Sequence, residues 1–228
     1  MYVYPFENLM NEGYSYLGEG DFSKAIELFS DAFTITIGDE NKANALHGKG
    51  IALRLNCQFD ESKDAFRAAI SLVSSKSLIA RIKRDFGMCY LDHGKMMVCD
   101  YEARCDMYDL AEEAFISSRD SLKSCGEYTE ATVSDTFLAR LYFLVGRKND
   151  AVQIFNRSNE ILRNNNATYE LNNLVWLARA SFVGRWRYAY RAIYLSVRIP
   201  AKRRWKEYMI ILIGGNFLYE KIASKMRK

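Results

Sequence analysis

Apolar and small residues recur along this chain at helical spacing rather than in strict alternation. Between Asn11 and Ala32 the sequence sets Gly13, Tyr16, Gly20, Phe22, Ala25, Phe29 and Ala32 at offsets 0, +3, +7, +9, +12, +16 and +19. Small residues at 0, +12 and +19 allow two antiparallel helices to approach closely. A large residue at +16 fills the space between one helix pair and the next. Glycine near +7 ends the first helix, because it takes the left-handed conformation without a steric penalty. Asp21 then stands where an N-cap is wanted. The pattern predicts a helix–turn–helix unit.

The pattern returns. A second copy starts at Gly50 with Leu53, Phe59, Ser62, Phe66 and Ala69, and Cys57 replaces the turn glycine. A third is split: Gly87, Tyr90 and Gly94 give its first half, and Tyr108, Ala111, Phe115 and Ser118 its second. The gap between the halves is 12 residues longer than in the other copies, which marks about residues 95–106 as an insertion. A fourth starts at Ala139 with Tyr142, Gly146, Ala151, Phe155 and Ser158, and Asn149 is its expected N-cap. A fifth starts near Leu177, with Ala180, Gly184, Trp186, Ala189, Ile193 and Ser196; this register sets Trp186 and Tyr190 toward the core.

These markers resemble the tetratricopeptide (TPR) repeat. Successive starts lie 37, 37, 52 and 38 residues apart, against a consensus of about 34. In spacing alone, the chain is similar to TPR proteins with elongated repeats, bacterial peptide-sensing regulators among them. The resemblance implies an all-α, right-handed α-solenoid of about five helix–turn–helix repeats over residues 6–199, within a single domain of residues 1–228. Residues 200–228 are expected to form a basic C-terminal capping helix. Trp205, Met209, Leu212, Ile213, Phe217 and Ile222 there recur at helical spacing and would cover the apolar face a terminal repeat leaves bare.

The resemblance also implies a concave groove lined by the first helix of each repeat. Carried over position by position, it points to Tyr14, Asn44, His47, Arg54, Arg81, Arg84 and Arg140 as a partner-binding set, with apolar residues toward the far end. Arginines on such a wall can grip carboxylates bidentately. They could instead pair with neighbours such as Asp85 and Asp92. The carboxylate-clamp subclass of the family needs Lys and Asn where this chain has Met10 and Tyr14, so a chaperone tail is not the expected ligand.

Composition narrows the function. The 228 residues are 49% hydrophobic and 26% charged, which suits a packed domain. Between Pro5 and Pro200 there is no proline, so helices can follow one another unbroken. The start of the sequence has no secretory pattern, and the longest apolar run, Tyr208 to Tyr219, is too short to span a bilayer. The five cysteines form no Cys-x-x-Cys. Reduced thiols in a cytoplasmic protein are therefore expected. Cys89, His93, Cys99 and Cys105 match no compact zinc spacing. With no phosphate loop, His-Glu-x-x-His or nucleophile elbow, the expectation is no enzyme, no metal and no cofactor.

Charge is uneven. Residues 179–228 carry about +11, although the whole chain is +4. That third interleaves cations with aromatics, and Arg187, Arg191, Arg198, Lys202, Arg203 and Arg204 form a basic patch. The leading expectation is a scaffold, adaptor or regulatory module that binds a peptide or protein segment, acidic in character, in the groove. The second is nucleic-acid binding through the basic third. The third is self-association (a homo-oligomer) through Met209–Leu218 of the C-terminal helix.

Overall fold

The computed structural model describes residues 5–163, 165–180 and 185–198. Those residues form ten helices and no strand. They are α1 (Phe6–Glu19), α2 (Phe22–Ile35), α3 (Asp39–Leu55), α4 (Phe59–Ser71), α5 (Lys76–Met96), α6 (Tyr101–Ser124), α7 (Tyr128–Leu144), α8 (Lys148–Leu162), α9 (Ala167–Ala180) and α10 (Arg185–Arg198). In chain order they make five pairs, one per repeat. The chain divides into two compact units, residues 1–137 and 138–228, with the boundary inside α7. The capping helix expected over 200–228, with its apolar Met209–Leu218 surface, lies outside the described residues, as do Lys202, Arg203 and Arg204.

In the first unit each helix from α1 to α6 packs on the next, and first helices of successive pairs also touch, α1 on α3 and α3 on α5. In the second unit α8 packs on α9 and α9 on α10. Neighbour-only packing of this kind is what a repeat array requires, because no single pair can bury its own apolar face. The residues at +16 do that burying: Phe29, Phe66, Phe115 and Phe155 are all completely buried.

The small residues make room for these rings. A Cβ added at Gly13 would lie 2.7 Å from the Phe29 ring, and one at Gly48 would lie 2.6 Å from the same ring. Gly13 comes from the ring's own repeat and Gly48 from the next, so Phe29 is held between two glycines. Gly50 stands to Phe66, and Gly87 to Phe115, at the same 2.7 Å. Ser62, the small residue at +12 in the second repeat, is buried and donates to the Gly50 carbonyl at 2.8 Å.

The helix ends follow the expected chemistry with two departures. Gly20 caps α1 in the left-handed conformation, and the Asp21 side chain accepts from the Lys24 N–H at 3.1 Å. Asn149, expected as a cap, lies inside the first turn of α8, whose N-cap position is Arg147. The turn left by Gly146 is shorter than the marker spacing implies. Gly94 also departs from its expected role: it lies within α5 rather than ending it. There its missing side chain leaves space for Tyr108, whose ring would come within 2.7 Å of a Cβ. Residues 95–106 consequently form no long loop. Met96 closes α5 and Tyr101 opens α6 behind an Asp100 N-cap, so the extra residues lengthen both helices of the third pair.

Candidate functional site

First helices of the first unit carry most of the predicted groove residues, and the fold brings these close to carboxylates of the following repeat. His47 on α3 meets Asp85 on α5 at 2.8 Å. One turn pair along, Arg54 on α3 pairs with Asp92 on α5. Arg81 and Arg84 on α5 reach forward in turn, to Glu127 at 2.6 Å and to Glu130 at 2.7 Å. Each pair therefore joins one repeat to the next, with the nitrogen-bearing side chain always on the earlier helix.

The electrostatics are mutual. Burial works against the charge on Asp85, but the His47 hydrogen bond and the Arg84 and Arg54 charges hold its carboxyl below the usual carboxylate range. Asp92 is likewise depressed against its burial by Lys95 and Arg54. Arg81, then a hydrogen bond from Ser77, holds Glu127 low. Tyr14 on α1 packs edge-on to Phe29 with ring centroids 5.1 Å apart. Its hydroxyl is pushed up by burial and by the negative charge of Asp85. Tyr14, His47 and Asp85 thus share one neighbourhood across three successive first helices. Asn44, three residues before His47 on α3, is half-buried.

Access varies along this row. Arg84 is buried, and Arg54 and His47 are nearly so, whereas the Arg81 side chain remains 44% exposed. Val133 and Thr136 on α7 are fully buried and serve packing. Arg140 belongs to the second unit, where its guanidinium lies 5.7 Å from the centre of the Trp176 ring. Arg179 covers the same indole at 4.5 Å, and Phe143 meets it edge-on at 5.5 Å. Trp176 was not among the residues expected at a site.

The carboxylates Glu127 and Glu130 were also missed. They precede their repeat's first small residue, Ala139, by twelve and nine positions, beyond the stretch from which the resemblance draws groove residues. The second half of a cation–carboxylate ladder was the signal available: Arg81 to Glu127 and Arg84 to Glu130 are both 46 residues apart.

In the basic third, Arg187 is exposed, while Arg191 donates twice to buried Glu170, at 3.1 and 2.6 Å. Tyr190, expected in the core, is 75% exposed, because buried Ala189 and Ala192 turn the opposite face of α10 inward. Arg198 is the last residue of α10. Among the described residues no three of His, Cys, Asp and Glu converge as metal ligands, and no helix is long and apolar enough to cross a membrane. Cys89 is buried with its thiol 3.6 Å from the Phe59 carbonyl, and His93 stacks on the Phe59 ring.

No protein-family model matches the chain, and no curated protein matches it. Solved structures do. One is a Podosopora anserina kinesin light chain protein of nearly identical TPR-like repeats, 16% identical, covering 92% of this chain and 93% of its own, with a TM-score of 0.55. BtubC from P. vanneervenii is 13% identical over 86% of this chain and 82% of its own, with a TM-score of 0.63. The apo form of RapI is 14% identical over 96% and 84%, with a TM-score of 0.62. The chain therefore has the TPR-type fold, an all-α array of helical repeats.

Proposed function

We propose that this chain is a non-catalytic interaction scaffold that holds a peptide or protein segment along the first helices of residues 1–137. The observation that carries this reading is the row of Tyr14, His47, Arg54, Arg81 and Arg84. These groups lie on neighbouring first helices: His47, Arg54, Arg81 and Arg84 each meet a carboxylate of the next repeat, and Tyr14 packs on the Phe29 ring. A row of this kind offers a partner fixed donors and acceptors on rigid elements. Because each arginine already meets a carboxylate, an acidic partner gains by exchange at the exposed Arg81–Glu127 pair rather than by meeting bare positive charge.

The test is capture of partners by the tagged full chain from its native lysate, with and without nuclease. Tyr14→Ala and Arg81→Glu are the informative variants, since both side chains reach solvent. Arg84→Glu is unsuitable, because a buried pair that loses one partner destabilises the fold. A nuclease-resistant protein that the wild type retains and both variants lose is the expected outcome. Capture unaffected by either variant would overturn the reading.

A second reading is nucleic-acid binding through the basic third. It is favoured by one observation: Arg187, Tyr190 and Tyr194 are exposed together on α10. Cations interleaved with exposed aromatic rings suit phosphates and stacked bases. On this reading capture fails after nuclease treatment and weakens with Arg187→Glu.

A further inference from the structure

The four contacts of the inter-repeat ladder are not equivalent. The Arg84 side chain is 9% exposed, and those of Arg54 and His47 are 12% and 13%. These three contacts are built into the packing of α3, α5 and α7. The fourth differs: Arg81 is 44% exposed and its partner Glu127 is 29% exposed. An ion pair this open to water is held weakly and can exchange.

Both partners are equipped for exchange. Arg81 reaches Glu127 through one terminal nitrogen, Nη2. A guanidinium offers five N–H groups in a planar fork and suits bidentate carboxylates. Glu127 immediately precedes α7, and its backbone oxygen accepts the Ala131 N–H at 2.9 Å. A carboxylate at a helix N-terminus keeps favourable interactions with the helix dipole when its arginine leaves. A hydrogen bond from Ser77 holds the Glu127 side chain on the α5 side as well.

We infer that Arg81 is where an aspartate or glutamate side chain of the bound segment enters, and that Glu127 is an internal competitor occupying this arginine until the segment arrives. This inference rests on the groove reading proposed above. Glu127 thereby sets a threshold. A segment must out-compete a carboxylate already in place, so an isolated acidic side chain binds weakly, and several in a row raise the local concentration of carboxylate at Arg81. The other three pairs keep the first helices in register while the exchange takes place.

The experiment uses the full chain and a fluorescein-labelled hexaglutamate peptide with an amidated C-terminus, so that only side-chain carboxylates are offered. Affinity is measured by fluorescence anisotropy at low ionic strength for wild type, Glu127→Gln and Arg81→Gln, with thermal melts to confirm folding. All three chains also carry Lys202→Glu, Arg203→Glu and Arg204→Glu, so that the basic C-terminal residues compete less for the peptide. Glu127→Gln is expected to tighten binding by about fivefold and Arg81→Gln to weaken it by about as much, as suits one exposed ion pair. If Arg81→Gln weakens binding but Glu127→Gln leaves it unchanged or weaker, the competitor role is overturned and the groove reading stands. If Arg81→Gln binds like the wild type, or no chain binds, the inference is overturned, and the groove reading is decided by the lysate capture.

Discussion

Cys57 has a φ of 62°, the one described non-glycine residue with a positive value. It occupies the +7 turn position where Gly20 and Gly146 carry φ of 82° and 91°. A side chain in this conformation crowds the following carbonyl by about 1–2 kcal/mol. Glycine would lift that strain but lose more chain entropy on folding, about 0.5–1 kcal/mol. Cys57→Gly is therefore expected to stabilise the protein by about 0.5–1 kcal/mol, read as a higher urea midpoint at unchanged slope. An equal or lower midpoint would show that the cysteine side chain makes a compensating contact. The need for a left-handed residue here was legible in the sequence, because the other copies place glycine at this offset. Gly94 was read wrongly by the same rule. It sits at the same offset, but the residues after it continue the helix, and its smallness serves Tyr108 rather than a turn.

Among the elements, α3 and α5 are joined by two of the ladder's contacts, and Asp85 stands close to His47, Arg84 and Arg54. Its depressed carboxyl binds its proton less readily when folded than when unfolded. It therefore contributes stability that is present above the unfolded value of about 3.9 and lost as pH falls further, through the folded value. Melting temperature should hold from neutral pH down to about pH 5 and then drop, and Asp85→Asn should start lower and drop less steeply. An unaltered acid slope in Asp85→Asn would place the acid sensitivity elsewhere, with Asp92 and Glu127 next to be replaced. At this scale the extra residues of the third repeat were legible only as a count. Twelve surplus positions can make a loop or two longer helices. The choice fell to helix because Asp100 caps α6 and because Gly94 and Tyr108 let the lengthened helices keep touching.

For the molecule as a whole, the question is which surface carries binding: the first helices of residues 1–137 or the strongly positive residues 179–228. The two respond differently to salt. Each phosphate contact releases counterions, so binding through the basic third should lose orders of magnitude in affinity between about 50 and 200 mM salt. Binding along the first helices exchanges one carboxylate for another at Arg81, and its affinity should fall by less than about tenfold over that range. A titration of the captured partner at both salt concentrations checks this, and a steep loss would move the function to the basic third. Arg191 already meets buried Glu170. Fewer free cations are therefore available on α10 than the sequence count suggests.

The helix pairs, their number and the rings that fill them were determined by the sequence alone. These features depend on spacing within some twenty residues, and close helix contact admits only small residues opposite large ones. Nothing at that range records which cation meets which carboxylate. His47 and Asp85, or Arg81 and Glu127, are separated by a whole repeat, and their distance depends on how one helix pair is laid against the next. Tertiary structure also decided that Tyr190 faces outward and that Arg84 is buried while Arg81 is open to solvent. A helix has more than one face that can carry such residues, and only the neighbour packed against it selects which face is covered.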